Sequence, residues 1–326
     1  MRVLFVYKHE NSTFIKNDIE ALKKHFVVTP FLFRFNKIFS LIRELRRCDV
    51  VFIWFCSYHA YFTARLTRKP IVVVTGGYDV AGVKELHYGL MLNPVYKRMV
   101  RYVLLKAKKI LAVSDFNKSE IKWHLDMNDA VVSYNSVDCE RFKPGGEKTN
   151  VVLTVGAVNE ENWFRKGISR FVELAEFSEH CKPLDTQFIV VGKISDEMKE
   201  RVSEMQKRTP YLLFTGFLSD DDLLRMYQKA KVYCQFSEYE SFGVSLAEAM
   251  ACECVPVVSE AIALEEVVGE TGFYVRDNDL ATLQKIVRDA LNSVKGEQAR
   301  MRVMLLFNPE QREIDLMEAV NSCVQC

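Results

Sequence analysis

The sequence predicts an α/β protein with two parallel-sheet domains, and three observations carry that prediction. In both halves, short and continuously apolar segments alternate with stretches whose apolar residues recur at helical spacing. Strands that are apolar on both sides belong in sheets covered on both faces. The 326 residues suffice for two substantial cores. Near mid-chain, Pro144-Gly145-Gly146 followed by Glu147-Lys148-Thr149-Asn150 reads as a linker, since Gly and Pro interrupt regular structure and charge keeps the segment wet. The expected division is 1–146 and 147–305, with a helical tail at 306–326.

Composition is that of an ordinary globular protein, 49% hydrophobic and 27% charged, and the net charge of +1 gives no field for nucleic acid. The apolar run at 1–7 is too short for a signal peptide, and no stretch reaches the roughly 18 apolar residues of a membrane span. Nine scattered cysteines, an odd number, suit a reduced chain, so the cytoplasm is the expected location. Cys323-Val324-Gln325-Cys326 reads as a frayed end, with redox or metal chemistry as the alternative.

In the first half, strands are expected at 2–7, 27–31, 50–55, 70–75, 110–114 and 130–133. Helices are expected at 14–24, around Ile38, Leu41, Ile42 and Leu45, and at 59–66, 94–109 and 118–125. Ligands of parallel sheets sit at the carboxyl ends of strands, where Thr75-Gly76-Gly77-Tyr78-Asp79 lies. Gly77 beside Gly76 lets backbone approach a ligand. Asp79 either accepts hydrogen bonds from a ligand's hydroxyls or caps a tight turn. His59 reads as a core or surface residue, or as one facing a cleft. The 94–109 helix starts with a Pro suited to its first turn and carries Lys97, Arg98, Arg101, Lys106, Lys108 and Lys109. That basic face is either solvated or a peripheral contact with anionic membrane.

In the second half, strands are expected at 151–155, 188–191, 211–215, 232–236, 255–258 and 271–275. The first three end at Gly156, at Gly192-Lys193 and at Gly216-Phe217-Leu218. A polar loop precedes Arg165-Lys166-Gly167, which opens a helix through Phe177. Positive charge at a helix start opposes the dipole, which makes sense if an anion binds there. Helices follow at 221–229, from Val244, at 279–294 and at 297–324. Asp220-Asp221-Asp222 opens the helix at 221 and reads as capping. With no His-rich or paired-Cys cluster, neither metal nor cofactor is expected.

The stretch Ser237 to Ala251 organises the second half. An acidic loop leads through Gly243 into a helix marked by Val244, Leu246, Ala247, Met250 and Ala251. Backbone N–H groups at that start lack intrahelical partners and attract a phosphate or carboxylate. Those near Phe242, Gly243, Val244 and Ser245 are flanked by Glu240 and Glu248. Glu248 sits among small apolar residues, where a carboxylate needs a partner or a ligand.

Glu240 through Glu248 resembles the Glu-x7-Glu signature of family-4 retaining glycosyltransferases. Glu248-Ala249-Met250-Ala251-Cys252 and Val255-Pro256-Val257-Val258 continue the match, and Tyr134 to Pro144 resembles the family's Asn-Gly-Val-Asp…Phe-x-Pro connection. The resemblance implies a GT-B fold, two Rossmann-like parallel-sheet domains facing a central cleft, with the acceptor on the first, the nucleotide-sugar donor on the second, and the last helix crossing back to the first. It further implies that Glu240 contacts the donor sugar, Glu248 holds the ribose, Lys166 reaches the diphosphate, and Phe217 lies beside the nucleobase. The sequence departs from the family at Ser136, Ala157 and Glu253, each usually another residue, and lacks a His at Gly76 or Gly77. Arg165 is the substitute for the charge missing at Ala157.

The expected activity is metal-independent, retaining transfer of a hexose from a nucleotide-diphosphate sugar to a hydroxyl of a sugar, glycolipid or lipid-linked acceptor. A sugar-nucleotide epimerase of the same fold and a non-catalytic nucleotide-sugar binder are the alternatives.

Overall fold

The computed structural model describes residues 1–10, 12–181, 186–276 and 279–323. It forms two compact units, one of residues 1–136 with the chain from Pro309 onward, the other Val137–Asn308. Cys326, half of the C-terminal cysteine pair, lies outside the described residues.

The first unit contains strands β1 (Arg2–Tyr7), β2 (Val27–Leu32), β3 (Val50–Trp54), β4 (Ile71–Thr75), β5 (Lys109–Ala112) and β6 (Ala130–Val132). Their order is β2-β1-β3-β4-β5-β6, all parallel. Every residue of β3 and β4 is buried, because helices cover both faces of their apolar runs. The connecting helices are α1 (Thr13–Lys23), α2 (Ile38–Arg47), α3 (Tyr58–Leu66), α4 (Pro94–Lys106) and α5 (Asp115–Leu125). From β1 the chain goes first to the β2 edge and then to the other side of β1, so the switch point lies between β1 and β3.

Helix α4 is shorter than its charge pattern suggests. Asn93 caps it, accepting from the amides of Val95 at 2.9 Å and Tyr96 at 3.3 Å, with Pro94 in the first turn. It stops at Lys106, and the Lys108 amide already bonds to the Ile71 carbonyl. Lys109 begins β5. Lys106 itself donates to the carbonyls of Ala64 and Thr67 at the end of α3, which removes it from the basic face expected at 94–109.

The second unit contains β7 (Thr149–Val155), β8 (Gln187–Val191), β9 (Leu212–Gly216), β10 (Ala230–Gln235), β11 (Val255–Ser259) and β12 (Phe273–Val275). The order is β12-β11-β10-β7-β8-β9, again all parallel, with the switch point between β7 and β10. Its helices are α6 (Glu160–Arg165), α7 (Ile168–Cys181), α8 (Lys199–Arg208), α9 (Asp220–Lys229), α10 (Val244–Ala251), α11 (Ile262–Val268), α12 (Leu280–Leu291) and α13 (Gly296–Leu306).

Several elements depart from the sequence reading. The expected polar loop before Arg165 is α6, capped by Asn159, which accepts from the Asn162 amide at 2.8 Å, with Glu160 and Glu161 in its first turn. Capping and charge specify it where no apolar stripe does. Helix α8 escaped the reading because only Val202 and Met205 are buried along it. Short α11 gave no signal of its own either. The segment 137–146 belongs to the second unit, since Arg300 donates to the carbonyls of Phe142 and Cys139 and the Phe142 ring meets that of Tyr227.

The single helix expected over 297–324 is broken. Helix α13 ends at Leu306, and Pro309 starts α14 (Pro309–Asn321), because proline cannot continue a preceding helix but suits a first turn. Helix α14 belongs to the first unit. There Arg312 makes a two-pronged ion pair with Asp18 at 3.0 and 2.6 Å, and it also donates to the Ser133 carbonyl. Trp54 donates its indole N–H to the same carboxylate at 2.6 Å. The pair is almost wholly buried but has hydrogen-bond partners on every side, the condition under which buried charges are tolerated.

Candidate active site

The second sheet's switch point gathers most of the residues singled out from sequence. Strand β7 ends at Val155, and Gly156 bonds through its amide to the Val191 carbonyl at 2.9 Å. Gly192 packs on it so closely that a Cβ there would stand 1.9 Å from the Gly156 carbonyl oxygen. These two glycines bring the ends of β7 and β8 together. A Cβ on Gly156 would meet the Lys166 side chain in ordinary contact at 3.9 Å, which places Lys166 beside this floor.

Lys166 gets there through Gly167. That residue has φ +66, and a Cβ would lie 2.0 Å from the Phe236 carbonyl oxygen, so only glycine lets the α6–α7 turn rest on the end of β10. The Glu238 amide, bonded to the Arg165 carbonyl at 2.9 Å, ties the same turn to the acidic loop. The result is a direct ion pair between the Lys166 ammonium and the Glu240 carboxylate. Gln235, a buried polar residue at the end of β10, donates to the same carboxylate oxygen at 3.0 Å and to the Ser237 hydroxyl at 3.3 Å. Tyr233 donates to Gln235 at 3.5 Å.

Arg165 and Lys166 precede the start of α7 as expected, but they also end α6, where cations complement the dipole, so their position alone does not ask for an anion. The Arg165 guanidinium is engaged within its own helix, donating to Asn162 and pairing with Glu161 at 3.3 Å. Lys166, in contrast, reaches out of the helix to Glu240.

Gly243 caps α10 in the left-handed region, φ +94, and offers no side chain to the first turn. Phe242 is buried edge-on against Phe307, ring centroids 5.1 Å apart, which fixes the loop, while Val244 and Ser245 are half-buried. Glu248, further along α10, accepts from the Tyr227 hydroxyl at 3.1 Å. Burial pushes its carboxyl up to about 7, against the opposing pull of that hydrogen bond. Burial and the charges of Glu248 and Glu240 hold Tyr233 well above the ordinary tyrosine range. Phe217 is 78% exposed at the end of the edge strand β9, behind the open, left-handed Gly216.

Gln235, Tyr227 and Tyr233 were missed from sequence. Gln235 had a visible signal, an amide in an otherwise apolar strand. The tyrosines had none, since a tyrosine is ordinary in a helix or a strand and Tyr227 reaches Glu248 only in the fold.

In the first unit the expected sites resolve differently. Asp79 was a candidate to bind a ligand's hydroxyls. Its carboxylate is buried and accepts from the amides of Cys56 at 2.7 Å, Gly76 at 3.0 Å and Gly77 at 2.9 Å, so it fastens the loop after β4 to the end of β3. Burial raises its pKa and these amides oppose the rise. Gly77 has φ +118 to make that turn. Gly76 makes room not for a ligand but for Phe55, whose ring would lie 2.1 Å from a Cβ. His59 is a core histidine, bonded to the Trp54 carbonyl at 3.0 Å and to Ser57 at 2.8 Å, and burial pushes it down to about 4.

At the first sheet's own switch point lies a cavity of about 400 Å³. Lys8 and His9 follow β1 into its wall, Phe55, Ser57 and Tyr58 follow β3, and Tyr78 comes from the loop after β4. Asp79 lines the cavity too, so the strand-end segment Thr75 to Asp79 singled out from sequence does border it, while Lys8, His9 and Phe55 were missed because they join it only through the sheet order. Among the described residues, no group of three or more His, Cys, Asp or Glu side chains could hold a metal. No described helix is long and apolar enough to cross a membrane.

A family model described as glycosyl transferases group 1 matches residues 138–302, and one described as glycosyltransferase family 4 matches residues 4–141. The serotype-specific mannosyltransferase WbdA of Escherichia coli is 30% identical over 107 residues, 32% of this chain but 13% of its own length. The O-antigen chain mannosyltransferase RfbU of Salmonella typhimurium is 27% identical over 203 residues, 61% of this chain and 55% of its length. The chain thus spans only part of these curated relatives. Among solved structures, Anabaena Alr3699/HepE in complex with UDP superposes with a TM-score of 0.79 over 99% of this chain and 100% of its own, at 15% identity. The lipopolysaccharide outer core galactosyltransferase WaaB gives 0.70 over 99% of each chain, at 12% identity. At such identities the likeness is one of fold.

Proposed function

The chain belongs to the glycosyl transferases group 1 family, and on that premise we propose that it is a retaining transferase moving a hexose from a nucleotide-diphosphate sugar to a hydroxyl of a sugar, glycolipid or lipid-linked acceptor. Its two Rossmann-like parallel-sheet domains are those of the GT-B architecture. The observation that carries the reading is the Lys166–Glu240 pair at the second switch point, where ligands of parallel sheets bind, with Glu248 on the adjoining helix.

Cleaving the bond between the sugar and the diphosphate leaves negative charge on phosphate oxygen. Fixed donors aimed at that charge lower the barrier without reorganising. Lys166 has three N–H donors, of which Glu240 needs one, so the ammonium can hold Glu240 and a phosphate oxygen together. The first-turn amides of α10 add a second set of donors. Glu240 accepts from hydroxyls of the donor sugar, and Gln235 keeps its carboxylate aimed. Glu248 accepts from the ribose hydroxyls, most strongly in its ionised form. As the sugar–phosphate bond breaks and the acceptor oxygen bonds to the sugar carbon on the same face, the acceptor's proton passes to the departing phosphate. Charge stabilisation is assigned to Lys166 and backbone amides, with no metal step. Gly156, Gly192 and Gly243 shape the floor, and Phe217 stands at the nucleobase end. Arg165 acts through α6 and not by contact with the diphosphate.

Calorimetry and nucleotide-release assays with UDP-, GDP- and ADP-linked sugars, with and without chelator, test this. Mannosyltransferases among the relatives make GDP-mannose the first donor to try, and the UDP complex of Alr3699/HepE makes UDP-glucose the second. Binding and slow, chelator-resistant release of one nucleotide are expected. Binding without release in the presence of a broad acceptor mixture would favour a non-catalytic binder, and failure to bind any donor would overturn the proposal. We also place the protein in the cytoplasm, touching anionic membrane through Lys97, Arg98 and Arg101 of α4. Sedimentation with anionic against neutral vesicles tests that contact.

A further inference from the structure

We propose that the cavity at the first sheet's switch point binds a saccharide bearing an anionic group, a carboxylate or a phosphate ester. As the identity of the acceptor, this rests on the transferase reading above. As a binding site, it stands on the first unit alone.

Position is the first argument. The cavity opens where β1 and β3 diverge, the place at which the topology of a parallel sheet leaves a crevice. Its volume, about 400 Å³, is within the range of small-molecule sites.

The walls are the second. Phe55 has φ +65, an unusual conformation for a bulky residue, and such strain persists only where the surroundings over-determine it. Here they do. The Gly76 position is vacated for the ring, the His9 ring meets it edge-on at 5.5 Å, and Asp79 binds the amides on both sides of the gap. Tyr58 is held in turn, stacked on Phe35 at 5.5 Å. With Tyr78, these rings give the cavity largely apolar walls of the kind that pack on the C–H groups of a pyranose, and tyrosine hydroxyls can partner its hydroxyl groups.

The charge is the third. The Lys8 ammonium lies 4.8 Å from the Tyr58 ring centroid and has no ion-pair partner among the described residues. The cavity's carboxylate, Asp79, is already met by three amides. His9 is biased toward its neutral form by burial and by Lys8, so it contributes a polar ring and no second charge. A pocket with aromatic walls and one uncompensated cation suits a sugar carrying a negative group better than a neutral one.

The test titrates the purified full chain with methyl glucuronide, glucose 1-phosphate, methyl glucoside and inorganic phosphate, following ligand saturation-transfer NMR and tryptophan fluorescence. Both anionic sugars should bind about tenfold more tightly than methyl glucoside, and bare phosphate more weakly than either. Lys8→Met should abolish that preference and Lys8→Arg should retain it, with circular dichroism confirming that both variants fold. Equal binding of the neutral glucoside, phosphate binding as tightly as the sugars, a preference that survives Lys8→Met, or no binding of either anionic sugar would each overturn the inference. Nucleotide-sugar binding by the wild type is scored separately, so the transferase reading can fail while this one stands.

Discussion

Both units are six-stranded parallel sheets, but the strand order reverses after two strands in the first and after three in the second, and they differ in what they place at the switch point. In the second, the crevice is lined by charge held in a network, with Lys166 on Glu240, Glu240 on Gln235 and Glu248 on Tyr227. In the first, it is lined by aromatic rings around one cation, and the local carboxylate is spent on backbone amides. Topology therefore decides where each site lies, and the residues that end two strands decide what it can hold. A fixed polar network suits charge that appears during a reaction. A ring-lined pocket suits a ligand recognised by shape and by one charge.

The largest effect that would break this contrast is on turnover. Lys166→Ala should lower donor cleavage by about a hundredfold with the fold intact, because Gln235 still serves Glu240. Steady-state kinetics beside a thermal melt checks it. A normal rate would mean that the network is merely structural. Gly167→Ala comes next. It adds a Cβ 2.0 Å from the Phe236 carbonyl oxygen at φ +66, so it should cost about 2–3 kcal/mol in urea denaturation and carry Lys166 away from Glu240.

How legible each region was in the sequence follows from the same contrast. The alternation of strands and helices, and Glu240, Gly243 and Glu248, were readable because those signals are local in the chain. The Lys166–Glu240 contact was not, since it depends on a glycine-tight turn docking on β10, a feature of tertiary packing. Arg165 and Lys166 were placed before one helix when they also end another, because α6 is specified by its cap and charges and has no apolar stripe. Asp79 had two readings, ligand acceptor or cap of a tight turn, and its three amide partners show the second. Of the first pocket only the segment at the end of β4, with Tyr78 and Asp79, was legible, since Lys8 and Phe55 meet it only once the order β1-β3-β4 is known.

A smaller effect separates the two carboxylates of the network. Folding raises the Glu248 carboxyl from its ordinary value to about 7. The folded state therefore holds an extra proton below that pH, and stability falls as pH rises through the window. Donor binding has the opposite sign, because ribose hydroxyls bond more strongly to a charged acceptor than to a neutral one. Nucleotide-sugar affinity should tighten as pH rises through about 7, and Glu248→Gln should abolish that dependence and weaken binding above it about tenfold. Calorimetry across that range, with melting curves at each pH, checks both signs. A Glu248→Gln variant with wild-type pH dependence would assign the titration elsewhere.

The smallest effect concerns strain. Of the four described non-glycine residues with positive φ, Phe55 at +65 and Glu253 at +64 occupy quite different places. Glu253 ends α10 in a left-handed cap, its amide bonded to the Met250 carbonyl and that of Cys254 to the Ala249 carbonyl, a position at which glycine is the usual residue. It ends a helix and takes no part in either site described above, so Glu253→Gly should stabilise the protein by about 1 kcal/mol and leave turnover as it was. Phe55→Gly relieves the same kind of strain but deletes a wall of the first pocket. It should lose saccharide binding and destabilise the unit, because the ring that fills the space over Gly76 disappears. Denaturation curves of the two variants, read beside the saccharide titrations, distinguish strain that a site requires from strain that a helix end merely tolerates. If Glu253→Gly proves neutral, the left-handed cap is costless here and Phe55's conformation loses its value as a marker of function.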